Sequence, residues 1–92
     1  MRAGPEFAAF YAAEHPRVLG VLCAVSGHRD AAVEATDEAF VRALERWNRV
    51  GALASPAGWT YRTALNALRR AAGRDGVAIA AAIAERRHRP RH

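Results

Sequence analysis

Residues 55–73 read SPAGWTYRTALNALRRAAG, and this stretch decides the fold because both of its ends carry strong helix signals. The Ser55 hydroxyl can accept a hydrogen bond from a free amide of the first helical turn, and Pro56 fits the first helical position, where no amide hydrogen is needed. Gly73 can adopt the left-handed conformation that closes many helices. The stretch is therefore predicted to be one helix that ends near Ala72.

The two sides of this helix differ in polarity. Apolar residues recur at steps of three and four and predict a buried stripe, formed by Tyr61, Ala64, Leu65, Leu68 and Ala72. Arg62, Asn66 and Arg69 form a polar stripe on the opposite side, and Trp59 and Arg70 flank it. An indole can stack on a base, a carboxamide can pair with a base edge, and a guanidinium can bind phosphate. The polar stripe therefore predicts a site for single-stranded nucleic acid, and the alternative is a solvated arginine face beside a core tryptophan.

Composition limits the chain to one small domain and favours an anionic partner. Ninety-two residues can bury one small core. The formal charge is +5, and all 14 basic residues are arginine. A basic surface favours anionic partners such as nucleic acid. The exclusive use of arginine suits phosphate and base contacts, but a GC-rich genome produces the same bias.

Several function classes are excluded or disfavoured. Cys23 is the only cysteine, so no internal disulfide and no thiolate cluster for a metal can form. No apolar run approaches the roughly 20 residues that span a bilayer, and the start MRAGPEF lacks a signal-peptide core, so a cytoplasmic protein is expected. The histidines are expected in turns or the tail, without metal-ligand spacing: His15, His28, His88 and His92. We therefore expect no enzyme, no metal and no cofactor.

The first half of the chain predicts two helices. Residues 5–26 have helix-spaced apolar positions, with a kink or break expected near Pro16. After a short turn, a second helix is expected from Asp30, a plausible cap, to about Trp47 or Asn48. The residues 48–55 then form a loop. No alternating strand pattern occurs, so the fold class is all-α.

The residues after the third helix form a separate, weaker segment. The sequence GRDG at residues 73–76 predicts a second break, followed by an Ala-rich helix over about residues 77–87 and a basic tail. We therefore expect a compact bundle of three main helices in residues 1–75. Residues 76–92 are expected to be a weak C-terminal helix and basic tail that serve as a linker or chain end.

The predicted second helix separates its charges from its apolar residues. Its buried stripe is Val33, Thr36, Phe40, Ala43, Leu44 and Trp47. One flank is acidic, with Glu34, Asp37, Glu38 and Glu45, and another is basic, with Arg42, Arg46 and Arg49. An acidic flank on a basic protein suggests a second partner with a positive surface. The alternative is ordinary solubility with intrahelical pairs, such as Glu38 with Arg42 and Glu45 with Arg49.

Three spaced blocks of the chain carry a family resemblance. They are FAAFYAAEHPRV at residues 7–18, ATDEAFVRALERW at residues 35–47 and PAGWTYRTALN at residues 56–66. In this order they resemble the second region of bacterial RNA polymerase sigma factors of the extracytoplasmic-function group, over about residues 6–72. The resemblance implies a helical promoter-recognition domain that docks on RNA polymerase and captures unpaired bases of the minus-ten element.

The resemblance assigns a partner to the acidic flank. In the family, the helix that corresponds to residues 30–47 contacts the coiled coil of the clamp in the largest subunit of core RNA polymerase. This places the contact on Glu34, Asp37 and Glu38, with Arg42 nearby. The chain departs from the family pattern at Asp37, where a Gln-like residue is general.

The resemblance also assigns the promoter site. The family's minus-ten pocket for the non-template strand implies base-reading roles for Arg62 and Asn66, with residues 49–54 as a variable wall. Trp59 corresponds to a family tryptophan that is both close to the melted strand and partly structural. The remaining arginines expected on the DNA are Arg49, Arg69, Arg70 and Arg74, of which Arg69 and Arg70 lie where an acidic residue is common in the family.

An alternative function stays open from the sequence. The chain could be an interaction module that docks on RNA polymerase or on an anti-sigma protein without selecting promoters. The Arg-rich tail at residues 86–92 is expected to be either the start of a linker to a second helical domain, of the kind that reads the minus-thirty-five element, or the end of a stand-alone chain.

Overall fold

The computed structural model describes residues 4–87, apart from the side chains of residues 77–79 and 87. This range contains four α-helices and no strand, so the all-α prediction is confirmed. The helices are α1 (Gly4–Ser26), α2 (Arg29–Glu45), α3 (Trp47–Val50) and α4 (Pro56–Arg87). The predicted basic tail at residues 88–92 lies outside the described residues, and so do His88 and His92.

Helix α1 is continuous through Pro16, so the structure shows no break there. A proline inside a helix removes one backbone hydrogen bond and costs about 3 kcal/mol. Packing against α2 on both sides of Pro16 offsets this cost. His15 contacts Phe40 just before the proline, and Val18 is buried in the core just after it.

A two-residue turn reverses the chain between α1 and α2. Gly27 has a φ of +71°, a conformation that glycine adopts without strain. The Ser26 hydroxyl accepts a hydrogen bond from the His28 amide at 3.0 Å and donates one to the His28 carbonyl. His28 is the residue that caps α2, so the prediction of Asp30 as the cap is wrong. Because the hydrogen bonds of Ser26 confine the turn to residues 27 and 28, α2 begins at Arg29 and Asp30 lies within its first turn.

Helix α2 ends at Glu45, two residues earlier than predicted, and the loop expected over residues 48–55 begins as the short helix α3. Arg46 leaves the helical conformation, with φ −116° and ψ 24°. This turn places the Trp47 indole against α1, with ring centroids 5.3 Å from Phe7 and 5.0 Å from Phe10. Aromatic packing at the start of α1 therefore decides where α2 ends.

The N-terminus of α4 forms as predicted. The Ser55 hydroxyl oxygen accepts a hydrogen bond from the Gly58 amide at 2.9 Å, and Pro56 is the first helical residue. A Cβ atom at Gly58 would lie 2.8 Å from this hydroxyl oxygen, so a glycine at this position leaves room for the cap.

The core lies where α1, α2 and α4 meet. Alanines dominate the contribution of α2, which lets α4 approach α2 closely. The buried cluster consists of Val18, Leu22, Ala32, Ala35, Ala39, Phe40, Ala64, Ala67 and Leu68. Thr36 on α2 and Thr60 on α4 are fully buried polar residues. The predicted burial of Phe40 is confirmed, at 2% exposure.

The predicted end of the third helix at Gly73 is wrong, because α4 continues to Arg87 and includes the Ala-rich segment. Two glycines at residues 73 and 76 each cost about 1 kcal/mol in a helix interior, but the alanines that follow have the highest helix propensity. Residues 72–76 and 80–86 are all exposed, so the burial predicted for Ala72 is wrong too. This half of α4 extends beyond the bundle and contributes to a long dimension of 66 Å.

Candidate nucleic-acid interface

The polar stripe predicted on α4, Arg62, Asn66 and Arg69, faces solvent. All three residues are exposed, and the opposite face of the helix is buried against α1 and α2. None of the three makes a side-chain hydrogen bond or an ion pair with another described residue. Their donors and acceptors are therefore available to a ligand.

Two shallow hollows flank Arg62 along this surface. One has a volume of about 330 Å³ and is lined by Leu53, Ala54, Ser55, Gly58, Trp59 and Arg62. The other has a volume of about 540 Å³ and is lined by Gly58, Tyr61, Arg62, Leu65, Asn66 and Arg69. The predicted loop wall thus contributes Leu53 and Ala54 to the first hollow. Both hollows combine an aromatic ring with a guanidinium, which are the groups that contact a base and its phosphate.

Trp59 lies beside the polar stripe and is half-buried. It lines the first hollow together with Arg62. Its carbonyl accepts a hydrogen bond from the Thr63 hydroxyl at 2.8 Å, one turn further along α4. The indole is therefore partly covered by the bundle and offers the rest of its surface to the hollow.

The structure does not bring every arginine of the predicted site together. Arg70 faces α2, where its guanidinium donates to the Glu38 carboxylate at 2.6 Å. Arg74 is exposed one turn after Arg70, and Arg49 is exposed on α3. Arg70 therefore joins α4 to the acidic flank of α2, a contact that helical periodicity within one segment cannot reveal.

Ion pairs hold the centre of the acidic flank of α2, which is called the acidic face from here on. The acidic face consists of Glu34, Asp37, Glu38 and Glu45. The predicted pair of Glu38 with Arg42 is present at 3.3 Å. Glu45 and Arg49 form no ion pair in the described part of the chain, because α2 ends at Glu45 and Arg49 belongs to α3. Arg42 and Arg70 thus share one carboxylate.

His15 completes this arrangement. It lies in the middle of α1, so the expectation that it occupies a turn is wrong. Its ring is stacked on Tyr11 with centroids 4.7 Å apart and contacts Phe40 at 5.1 Å. The Nε2 atom lies 3.0 Å from the Asp37 carboxylate oxygen and donates a hydrogen bond to it. Asp37 is therefore oriented by α1.

A comparison with protein families identifies the family to which this helical domain belongs. The family model for sigma-70 region 2 matches residues 10–76, which is most of the chain. The chain belongs to the sigma-70 region 2 family. This family acts in transcription initiation, and its region 2 is a transcription-factor domain rather than a catalytic one. Neither the search of curated proteins nor the search of solved structures returned a match.

The sigma domain also has an apolar feature that the sequence reasoning missed. Val41 is 53% exposed and lies in the middle of the acidic face, four residues after Asp37 and four before Glu45. A half-open groove of about 340 Å³ lies beside it, lined by Phe7, Tyr11, Asp37, Phe40, Val41 and Leu44. The spacing of Glu34, Val41 and Glu45 on one helical face was the signal that could have revealed this residue.

Two further properties bear on the chemistry of the sigma domain. Among residues 4–87, no group of three or more histidine, cysteine, aspartate or glutamate side chains could hold a metal ion. The same range contains no helix that is both long and apolar enough to cross a membrane.

Proposed function

We propose that this chain is the promoter-binding region of a sigma factor of the extracytoplasmic-function group. In this proposal, the polar stripe captures unpaired bases of the minus-ten element on the non-template strand. The observation that carries the proposal is the exposure of Arg62, Asn66 and Arg69 beside two hollows on a helix whose reverse is buried.

Base capture explains why the site combines an indole, a carboxamide and guanidiniums. A base that leaves the duplex costs a few kcal/mol in lost stacking and pairing. A hollow next to Trp59 and Arg62 can offset this cost by stacking, and the Asn66 carboxamide can pair with a base edge. The melted state of the promoter is stabilised because these contacts exist only when the base is unpaired.

The phosphates are held by the arginines around the hollows. Arg62 and Arg69 belong to the stripe, and Arg49 and Arg74 lie exposed before and after it. Their contribution weakens as salt rises, since each phosphate contact releases condensed counterions. Leu53 and Ala54 line one hollow, and the loop wall of residues 49–54 is proposed to select the base together with Asn66.

The acidic face is proposed to bind the clamp coiled coil of core RNA polymerase, with Glu34, Asp37, Glu38 and Arg42 as contacts. Its charge is opposite to that of the DNA-binding stripe, so the two surfaces attract different partners. In this role the protein acts in the cytoplasm, and an anti-sigma protein is a candidate regulator of the same surfaces.

Fluorescence anisotropy with labelled single-stranded oligonucleotides tests the promoter site. The oligonucleotides form a panel in which each base of a minus-ten window is changed in turn. We expect a base preference worth about 1–3 kcal/mol that disappears in Asn66→Ala. Arg17→Ala, an exposed arginine on α1, is the control and should leave binding unchanged. Binding that ignores sequence in the unmodified protein would instead favour an interaction module without promoter selectivity.

A further inference from the structure

Residues 73–87 form the end of α4 and are called the overhang from here on, because they extend beyond the bundle. The described side chains of the overhang, residues 73–76 and 80–86, are all exposed. A helix of this length without a packing partner is marginal in water, because most helical stability in proteins comes from a packed apolar face. Gly73 and Gly76 reduce the intrinsic helix propensity further. The overhang is therefore a surface that a partner would stabilise.

One face of the overhang is apolar and continues the buried face of α4. Ala72, Gly76 and Ile83 follow one another at steps of four and seven residues, so they lie on the same side of the helix as the buried Leu68. Ile83 is 49% exposed. A Cβ atom at Gly76 would meet nothing within 4 Å. The space over Gly76 can therefore receive a bulky side chain from another helix.

A groove at the base of the overhang extends this apolar face. It has a volume of about 350 Å³ and lies between α4 and the turn that joins α1 to α2. Leu68, Ala72 and Val25 contribute apolar walls, and Val25 is 62% exposed. Asp75 also lines the groove. The end of another helix that lies along the overhang would cover these walls.

The charges of the overhang complement those of a second copy. Arg74 and Asp75 lie at its start, Glu85 and Arg86 lie near its end, and residues 76–84 carry no charge. None of the four charged residues forms an ion pair with another described residue. In an antiparallel pair of overhangs, the start of each helix meets the end of the other, so opposite charges face each other. A parallel pair would place each charge beside its own copy, which is unfavourable.

The apolar contact and the charges agree on one register. Arg74 lies two residues before Gly76, and Glu85 lies two residues after Ile83. An antiparallel pairing that places Ile83 over Gly76 of the second copy therefore also places Arg74 opposite Glu85 of that copy. Arg74 and Glu85 are separated by about three helical turns, so they lie on the same side of α4, as antiparallel pairing requires.

We propose that the overhang is a dimerisation helix on which the overhang of a second copy packs antiparallel. Ile83 of each copy lies over Gly76 of the other, and two symmetric ion pairs join Arg74 to Glu85. The surface is self-complementary, as an interface with two-fold symmetry must be. The inference does not depend on the proposed function, because Arg62, Asn66 and Arg69 lie outside the overlapping residues.

Sedimentation equilibrium of the full chain tests the proposal, at protein concentrations up to about 1 mM. A short helical overlap buries less area than a standard interface, so a weak dimer is expected. Ile83→Asp places a charge in the apolar contact and should raise the dimer dissociation constant at least tenfold. Val21→Asp, at a valine of α1 that is 42% exposed, is the matched control and should leave the constant unchanged. A chain that stays monomeric, or a dimer that Ile83→Asp does not weaken, overturns the proposal.

A charge exchange tests the register. Arg74→Glu places two carboxylates opposite each other and should weaken the dimer at least threefold. The double variant Arg74→Glu, Glu85→Arg restores opposite charges and should recover the original dissociation constant. A double variant that dimerises no better than Arg74→Glu alone would overturn the antiparallel register.

Cross-linking gives a second measurement that does not depend on the stability of Ile83→Asp. Gly76→Cys and Ile83→Cys proteins are mixed in equal amounts and oxidised. Residues 76 and 83 of one helix are about 10 Å apart, too far for a disulfide, so a bond between these positions must join two copies. We expect a covalent dimer in the mixture and much less in either variant alone or in the unmodified protein, which contains Cys23. Equal cross-linking in all four samples would contradict the contact of Ile83 with Gly76.

Discussion

The acidic face of α2 and the polar stripe of α4 are both exposed and charged, but they differ in how their charges are satisfied. On α2, Asp37 is bonded to His15, and Glu38 is shared by Arg42 and Arg70. On α4, the stripe makes no such contact within residues 4–87. Charges with internal partners contribute to the fold as well as to binding, whereas the stripe can change without disturbing the bundle.

This difference predicts that substitutions on the two surfaces have different effects on binding and stability. A change on the stripe should alter only nucleic-acid binding, since no described contact is lost. A change on the acidic face should alter partner binding and stability together. The variants below test this division, from the largest expected effect to the smallest.

The largest effect is expected at Phe40, which supports both surfaces. Its ring is 2% exposed and contacts Phe10, Tyr11 and His15. Phe40→Ala should lower the free energy of unfolding by about 3–5 kcal/mol, enough to unfold so small a domain. Thermal melting followed by circular dichroism measures this. A cooperative transition near that of the unmodified protein would contradict the burial of Phe40.

Charge reversal at Asp37 and Glu38 should have the next largest effect. The double variant Asp37→Lys, Glu38→Lys places cations beside His15, Arg42 and Arg70, and should weaken binding to core polymerase by about 2 kcal/mol, roughly thirtyfold. Pull-down with core polymerase and oligonucleotide anisotropy are measured together. Oligonucleotide binding should persist, and its loss along with polymerase binding would indicate misfolding instead of a docking defect.

The pair Arg62→Ala and Arg70→Ala sharpens the comparison within α4. Arg62 has no ion-pair partner among the described residues, whereas Arg70 is bonded to Glu38. Arg62→Ala should reduce oligonucleotide affinity and lower the slope of log affinity against log salt by about 0.7, the value for one phosphate contact on a single strand. Arg70→Ala should change this slope much less. Equal slopes for the two variants would show that Arg70 leaves Glu38 to bind phosphate.

The smallest effect is expected at Thr36, a buried residue of α2. Its hydroxyl is fully buried and has no hydrogen-bond partner among the described residues. Thr36→Val keeps the shape and removes this unsatisfied group, so it should stabilise the fold by about 1 kcal/mol. The melting temperature of a domain of this size should rise by about 4–8 °C. A lower melting temperature would mean that the hydroxyl is satisfied in solution.

The polar stripe shows what local pattern can predict. Ser55 and Pro56 begin α4 as expected, and Arg62, Asn66 and Arg69 are exposed opposite the buried Ala64 and Leu68. These features depend on spacing within one helix and on capping chemistry, which are local properties of the chain. The acidic face was predicted equally well as a set of residues, and so was the pair of Glu38 with Arg42, but its partners on other helices, His15 and Arg70, were not.

Two of the failures share one physical cause. The end of α2 and the place of His15 were predicted wrongly because contacts between distant residues decided them, whereas the exposed end of α4 continues past Gly73 because the alanines that follow favour a helix. Trp47 packs on Phe7 and Phe10, so α2 ends early. His15 packs between Tyr11 and Phe40, and it lies inside α1 because this helix continues through Pro16. Propensity is a weak preference that such packing outweighs.

The sequence alone determined the helical class, the two faces of α4 and the family, because periodicity, capping residues and three spaced motifs are all encoded along the chain. Only the tertiary structure decided which charges are free. Arg70 and Glu38 are 32 residues apart, and His15 and Asp37 are 22 apart, so their ion pairs exist only after the helices have packed. The exposed Val41 acquires its groove for the same reason, since α1 and α2 must meet before their aromatic side chains can form a wall.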